Sequence, residues 1–162
     1  MVFFTGTRSS QRDGGSKLIA NGTRSKPIRF THNTAIEGTV GELERGLWGG
    51  IVILGKAPIN KCSNDVRGTA ACEKVVEGSD ALMGGAKPDD NSGKLNFVRV
   101  EYAGYEIFPG NELNGITFGA VGYGTEVDYV QVHNNQDDCV EFFGGTVNVK
   151  HLICTNAGDD NL

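Results

Sequence analysis

The sequence predicts an all-β solenoid, a right-handed parallel β-helix, on three observations. Gly124-Thr125-Glu126-Val127-Asp128-Tyr129-Val130-Gln131-Val132-His133-Asn134, leading to Asp137-Asp138, recurs as Gly145-Thr146-Val147-Asn148-Val149-Lys150-His151-Leu152, leading to Asp159-Asp160. A repeat of about 20 residues, built of short β-rich runs ended by polar turns, marks a stack of coils. The 24 glycines against only 4 prolines suit a chain with many tight corners that need positive φ or close backbone approach. No segment carries a convincing helical stripe: residues 35–45 hold two glycines and a Thr-Val pair, which admits at most one short turn of helix.

The elements follow in order. Residues 17–23 and 27–31 read as two short strands around an Asn-Gly turn. Trp48-Gly49-Gly50-Ile51-Val52-Ile53-Leu54-Gly55 is a continuous apolar run, too short for a typical helix and rich in β-branched residues, so it predicts a fully buried strand. A long polar insertion, residues 56–94, then interrupts the coil pattern. Leu95-Asn96-Phe97-Val98-Arg99-Val100-Glu101-Tyr102 alternates as residues 127–134 do, with Val98 and Val100 matching Val130 and Val132. Asn114-Gly115-Ile116-Thr117-Phe118-Gly119 has its counterpart in Cys139-Val140-Glu141-Phe142-Phe143-Gly144. Each coil therefore reads as strand, polar corner, strand, Gly-Thr corner.

One β-helix domain over residues 1–162 is the expected organisation. The chain opens at Val2-Phe3-Phe4-Thr5 without a charged-then-apolar leader and stops at Asp160-Asn161-Leu162, where another strand is due. The expectation is a segment of a longer helix, or one whose open ends pair with further copies in a homo-oligomer. A net charge of −5 argues against a nucleic-acid partner, which requires a basic footprint. No apolar run approaches membrane-spanning length.

Cys62 and Cys72 flank part of the polar insertion, where a disulfide would staple a long loop in an oxidising compartment. Cys139 and Cys154 fall on strands of neighbouring coils, where a small buried hydrophobe is the plainer role. Neither pair has zinc or Cys-x-x-Cys spacing, and Walker and Gly-x-Ser-x-Gly motifs are absent.

Asp137, Asp138, Asp159 and Asp160 would stack on adjacent coils about 4.8 Å apart. Carboxylates that close repel unless protons or a cation intervene, which makes the four of them candidate calcium ligands, although Asp is also favoured in turns for its own hydrogen bonding. No cofactor is otherwise required. His133, alternating with Val130 and Val132, belongs on the outer face beside Gln131, with His151 near it one coil on and Glu101 in register, a set with acid–base potential. The phase of the last strand stays open, because Val147 and Val149 have one parity while Leu152 and Cys154 have the other. Trp48, between glycines, reads as a packed core or corner residue. Tyr102, Tyr105 and Phe108, before Pro109-Gly110, are the better carbohydrate-stacking surface and, with Glu101, form the candidate ligand-binding set.

Several strings carry a resemblance. Residues 45–60, residues 114–119, Val127-Asp128-Tyr129-Val130-Gln131-Val132-His133-Asn134 and the stretch from Asp137 to His151 are similar to a family of large secreted or outer-surface bacterial β-helix proteins, often described only as hypothetical proteins or lipoproteins. The similarity runs from about Lys17 onward and implies the fold far more than a role. Members of that family are generally longer. Cys139 stands where the family has glycine and Cys154 where it has an aliphatic residue, and their joint appearance implies a disulfide between them. Asp137-Asp138-Cys139-Val140 also resembles the Asp-Asp-Cys-Ile string of polygalacturonase-type glycosidases, in which clustered carboxyls protonate the leaving oxygen and activate water. The Gly-His-Gly and Arg-x-Lys parts of that machinery are missing. The sequence therefore predicts a secreted or surface module that binds polysaccharide or serves a structural role, with a polysaccharide-cleaving enzyme as the alternative. In that alternative Asp137, Asp138, Asp159, Asp160 and His133 carry the catalysis.

Overall fold

A computed structural model describes the backbone of residues 2–5 and the full residues 16–64, 66–76, 80–107 and 113–162. Among them the strands are β1 (Val2–Thr5), β2 (Leu18–Asn21), β3 (Ile28–Phe30), β4 (Ile51–Leu54), β5 (Lys74–Val75), β6 (Leu82–Met83), β7 (Gly93–Glu101), β8 (Ile116–Gly119), β9 (Glu126–His133), β10 (Val140–Phe143) and β11 (Asn148–Thr155). Two parallel sheets result. One runs β1-β4-β8-β10; the other runs β2-β7-β9-β11, with β3 also on β7. The chain visits them alternately, one rung at a time, which is the coil of a parallel β-helix. Ile51, Ile116 and Val140 stack in register on one sheet, and Val98, Val130 and Leu152 on the other. Their side chains meet in the hollow between the sheets as one core with Ile53, Leu95, Val100, Phe118, Val127 and Val132.

The second sheet is creased along its length. Phe97, Tyr129 and His151 have φ of 48°, 51° and 46°, the left-handed region that side-chain-bearing residues seldom adopt. One such residue in mid-strand breaks the alternation, so Leu95, Val127 and Val149 face the core before the crease and Val98, Val130 and Leu152 face it after. That resolves the double parity of the last strand. The cross-section thus has three faces rather than the two strands and two corners read from the sequence. β2 pairs before the crease, Asn21 opposite Asn96, and β3 after it, Ile28 opposite Val98.

β4 is buried at all four positions for a reason outside the coil. Ile51 and Ile53 face the hollow, while Val52 and Leu54 face outward into a second core with Ile59, Cys72, Val76 and Met83. Those last four belong to the insertion. The insertion carries the antiparallel pair β5 and β6 and folds back over the sheet as an apolar lid, so its polar composition describes only its outer surface. Met83 packs so closely that its sulfur would lie 2.7 Å from a Cβ at Gly119. Residues 35–45, read as admitting at most one short turn of helix, contain only the end of a short helix, α1 (Asn33–Glu37), capped by the His32 ring at its start and by left-handed Gly38 at its end.

Both disulfides form, Cys62 to Cys72 and Cys139 to Cys154. The second does not join neighbouring coils as the spacing suggested. Cys139 precedes β10 and Cys154 lies in β11, so the bond crosses the hollow of one coil and ties its beginning to its end. Disulfides at this density suit an oxidising environment. No helix among the described residues is long and apolar enough to cross a membrane, which says nothing of membrane-crossing strands.

Candidate functional site: an axial trough beside an aromatic ladder

The left-handed residue of each crease projects outward, and the three rings form a ladder. Phe97 and Tyr129 stack with centroids 4.6 Å apart at 3°, and Tyr129 and His151 with centroids 4.2 Å apart at 4°. Strand spacing of about 4.8 Å sets this distance, so flat rings in register are nearly forced into contact. Two positions on, Arg99, Gln131 and Ile153 form a parallel row. Between the rows lies a trough of about 410 Å³, largely apolar, running along the helix axis. Phe97, Tyr129 and His151 line it on one side and Arg99, Gln131 and Ile153 on the other.

The trough is anchored from below. Glu101 is only 2% exposed, and its carboxylate takes Arg29 Nε and Nη2 on one oxygen, at 3.1 and 2.7 Å, and Arg99 Nη2 on the other at 3.1 Å. That contact raises the Arg29 guanidinium further above its already high value. Trp48 Nε1 donates to the Glu101 carbonyl at 2.7 Å, so the tryptophan is the packed corner residue the sequence suggested. His133 is in register with Glu101 and pairs through Nδ1 with Thr155 Oγ1 at 2.8 Å. Burial, and then the Arg99 guanidinium, hold this imidazole below its ordinary value, with Glu101 opposing. His151 is elsewhere: register places Thr155, not His151, opposite His133. At the ladder it binds Asp128 at 2.7 Å, and this hydrogen bond lowers the Asp128 carboxyl.

The acidic corner is smaller than the repeat predicted. The carboxylates of Asp137, Asp138 and Asp159 converge within 4.8 Å of one another, and Asp160 is not among them. Asp160 contributes main chain instead: its N–H donates to Asp138 Oδ1 at 2.9 Å, and its carbonyl accepts from Cys139 N. Asn135 Nδ2 holds the Asp138 carbonyl at 2.7 Å. Part of this acidity therefore serves the turn, as carboxylates at corners do.

Parallel coils thus enclose a packed core and carry ladders of side chains on their outer surface. Residues 12–162 match the family described as a pectate-lyase like beta helix domain. The chain belongs to that family. No curated protein and no solved structure gives a match.

Within this pectate-lyase-like helix the residues singled out from sequence fall in three places. Glu101 and His133 are neighbours, with Tyr102 edge-on to His133 at 6.0 Å. Tyr105 is half-exposed beyond them, and Phe108 lies outside the described residues. Asp137, Asp138 and Asp159 meet at a separate corner. Glu101 faces arginines rather than solvent, so its carboxylate organises the trough wall and offers no ligand surface of its own. The aromatic ladder escaped the sequence reading, although its signal was present as a flipped parity at the same place in three coils.

Proposed function

We propose that this chain is a secreted or surface β-helix module that binds glycans, with a saccharide chain lying along the trough. The observation that supports it is the pairing of an aromatic row, Phe97, Tyr129 and His151, with a row that carries the polar side chains Arg99 and Gln131, across an axial groove. Sugars present apolar C–H faces and polar hydroxyl edges together, and a groove with both chemistries on opposite walls meets both. The pectate-lyase-like helix is a fold associated with carbohydrate-active proteins, an analogy that raises the prior without fixing the ligand. Two disulfides suit the extracellular location.

Depletion of the protein by insoluble polysaccharides, with Arg99→Ala and Tyr129→Ala as controls, tests the reading. Retention by at least one polysaccharide that both variants lose is expected; equal retention of all three proteins would sink it. The convergence of Asp137, Asp138 and Asp159 favours one second reading, cleavage of a polysaccharide at that corner. Unsaturated products or new reducing ends that vanish in Asp138→Asn would establish cleavage in place of simple binding.

A further inference from the structure

The crease is a ridge with a concavity on each flank. His151 lines the trough, whereas Asp128 lines the opposite concavity, of about 520 Å³, with Tyr123, Glu126 and Lys150. His151 Nδ1 reaches across the ridge to Asp128 Oδ1 at 2.7 Å. The two nitrogens of an imidazole point in widely divergent directions, so a ring whose Nδ1 faces Asp128 turns Nε2 away from it, toward the trough. Stacking on Tyr129 at 4.2 Å and 4° fixes the plane of the ring. Plane and one nitrogen of the imidazole are thus both held.

We propose that His151 is a ligand-contacting residue of the trough, in which Nδ1–H donates to Asp128 and the unprotonated Nε2 accepts a hydrogen bond from a saccharide hydroxyl. The inference rests on the glycan reading and names the group that reads the sugar. A carboxylate on one imidazole nitrogen selects the tautomer with the proton on that side and leaves the other nitrogen as acceptor. Of the other polar side chains lining the trough, Arg99 carries only N–H donors, with Nη2 on Glu101 at 3.1 Å, and Gln131 Nε2 donates to Thr155 Oγ1 at 3.4 Å. His151 adds a ring-nitrogen acceptor for a hydroxyl proton beside the amide oxygen of Gln131. A site with a committed acceptor rejects a sugar lacking the matching hydroxyl far more strongly than a site that only stacks.

His151→Phe is the discriminating variant. Phenylalanine already occupies the equivalent rung at Phe97, with φ of 48° against 46° at His151, so the substitution keeps the backbone and the stacked ring and removes only the nitrogens. Cellohexaose, xylohexaose and chitohexaose are titrated calorimetrically into wild type, His151→Phe and Asp128→Ala, alongside melting curves and nitrogen-15 spectra of the imidazoles. Expected are a loss of about tenfold or more in affinity for His151→Phe with its melting temperature retained, corresponding to about 1.4 kcal/mol. A smaller loss is expected for Asp128→Ala, and the free protein should show His151 with Nδ1 protonated and Nε2 bare. Binding that survives His151→Phe, or a neutral His151 protonated on Nε2, overturns the assignment alone. Failure of all three oligosaccharides to bind wild type overturns the glycan reading and the assignment with it.

Discussion

The imidazole of His151 lies face to face with the phenol of Tyr129, centroids 4.2 Å apart and planes 4° from parallel, while the other face of Tyr129 meets Phe97 at 4.6 Å. Tyr129 is therefore the middle rung and touches a ring on each side. Each aromatic pair contributes about 0.5–1.5 kcal/mol beyond its buried area. Tyr129→Ala should cost about 1–3 kcal/mol, since the left-handed backbone at φ 51° remains and both stacks go. Tyr129→Phe should cost little, because the ring stays. Urea denaturation of the two variants checks this, and equal midpoints would show that the ladder carries no stability.

The ladder was legible in part. Leu95 and Val98, Val127 and Val130, Val149 and Leu152 are inward-facing pairs of opposite parity around one residue, a pattern that strict period-two alternation cannot produce. Read on the last strand alone it looks like an ambiguity of phase; read on three coils it locates a left-handed residue. The parallel coils and the Cys62–Cys72 staple followed from repeat spacing and cysteine placement, which are local properties, whereas the Cys139–Cys154 bond followed only from the family resemblance. The second core did not, because an insertion of mixed composition hides Ile59, Val76 and Met83 among polar residues, and only the fold shows that they cover Val52 and Leu54. Glu101 entered the candidate ligand-binding set from its register alone, and only the fold shows arginines from two strands closing over it.

Glu101 carries the next prediction. Removing one partner of a buried ion pair commonly costs about 3–5 kcal/mol, but Arg29 and Arg99 are 46% and 37% exposed and water can take over part of their charge. Glu101→Gln should therefore destabilise by about 1–3 kcal/mol after that discount. Arg29→Ala should cost about 1 kcal/mol or less, since Arg99 still holds the other carboxylate oxygen. Chemical denaturation of the two variants should reproduce that order, and a reversed order would refute the shared-anchor description.

His133 predicts a pH dependence. Its folded-state value lies below the ordinary 6.5, with burial the leading cause and Arg99 the next. Between those two values the unfolded chain binds more protons than the folded one, so stability rises with pH there. On acidification the loss begins as the pH falls through about 6.5 and ends once the folded imidazole is itself protonated. His133→Gln should lack this slope. Melting temperatures of wild type and variant from pH 7.5 down to 5 isolate the effect, because His32 and His151 are common to both; parallel curves would contradict it.

The Cys139–Cys154 bond closes 15 residues of one coil across its own hollow. A loop of that length gains about 3 kcal/mol from cross-linking, chiefly through the unfolded chain. Position adds to this, because Cys139 and Val140 are buried while Val147, Val149 and Leu152, later in the same coil, are only partly covered. Lateral packing holds that coil less firmly than its neighbours, so the covalent tie carries a larger share of its order. The paired Cys139→Ala and Cys154→Ala substitution should lower global stability by about 3 kcal/mol and loosen the last coil first. The Cys62–Cys72 bond spans a shorter loop of 10 residues, and its removal should instead expose the lid over Val52 and Leu54. Amide hydrogen exchange separates the two outcomes. Protection lost in β10 and β11 for one pair, and around β5 and β6 for the other, is the expected pattern, and a uniform loss in both would mean that coil and lid unfold as a single unit.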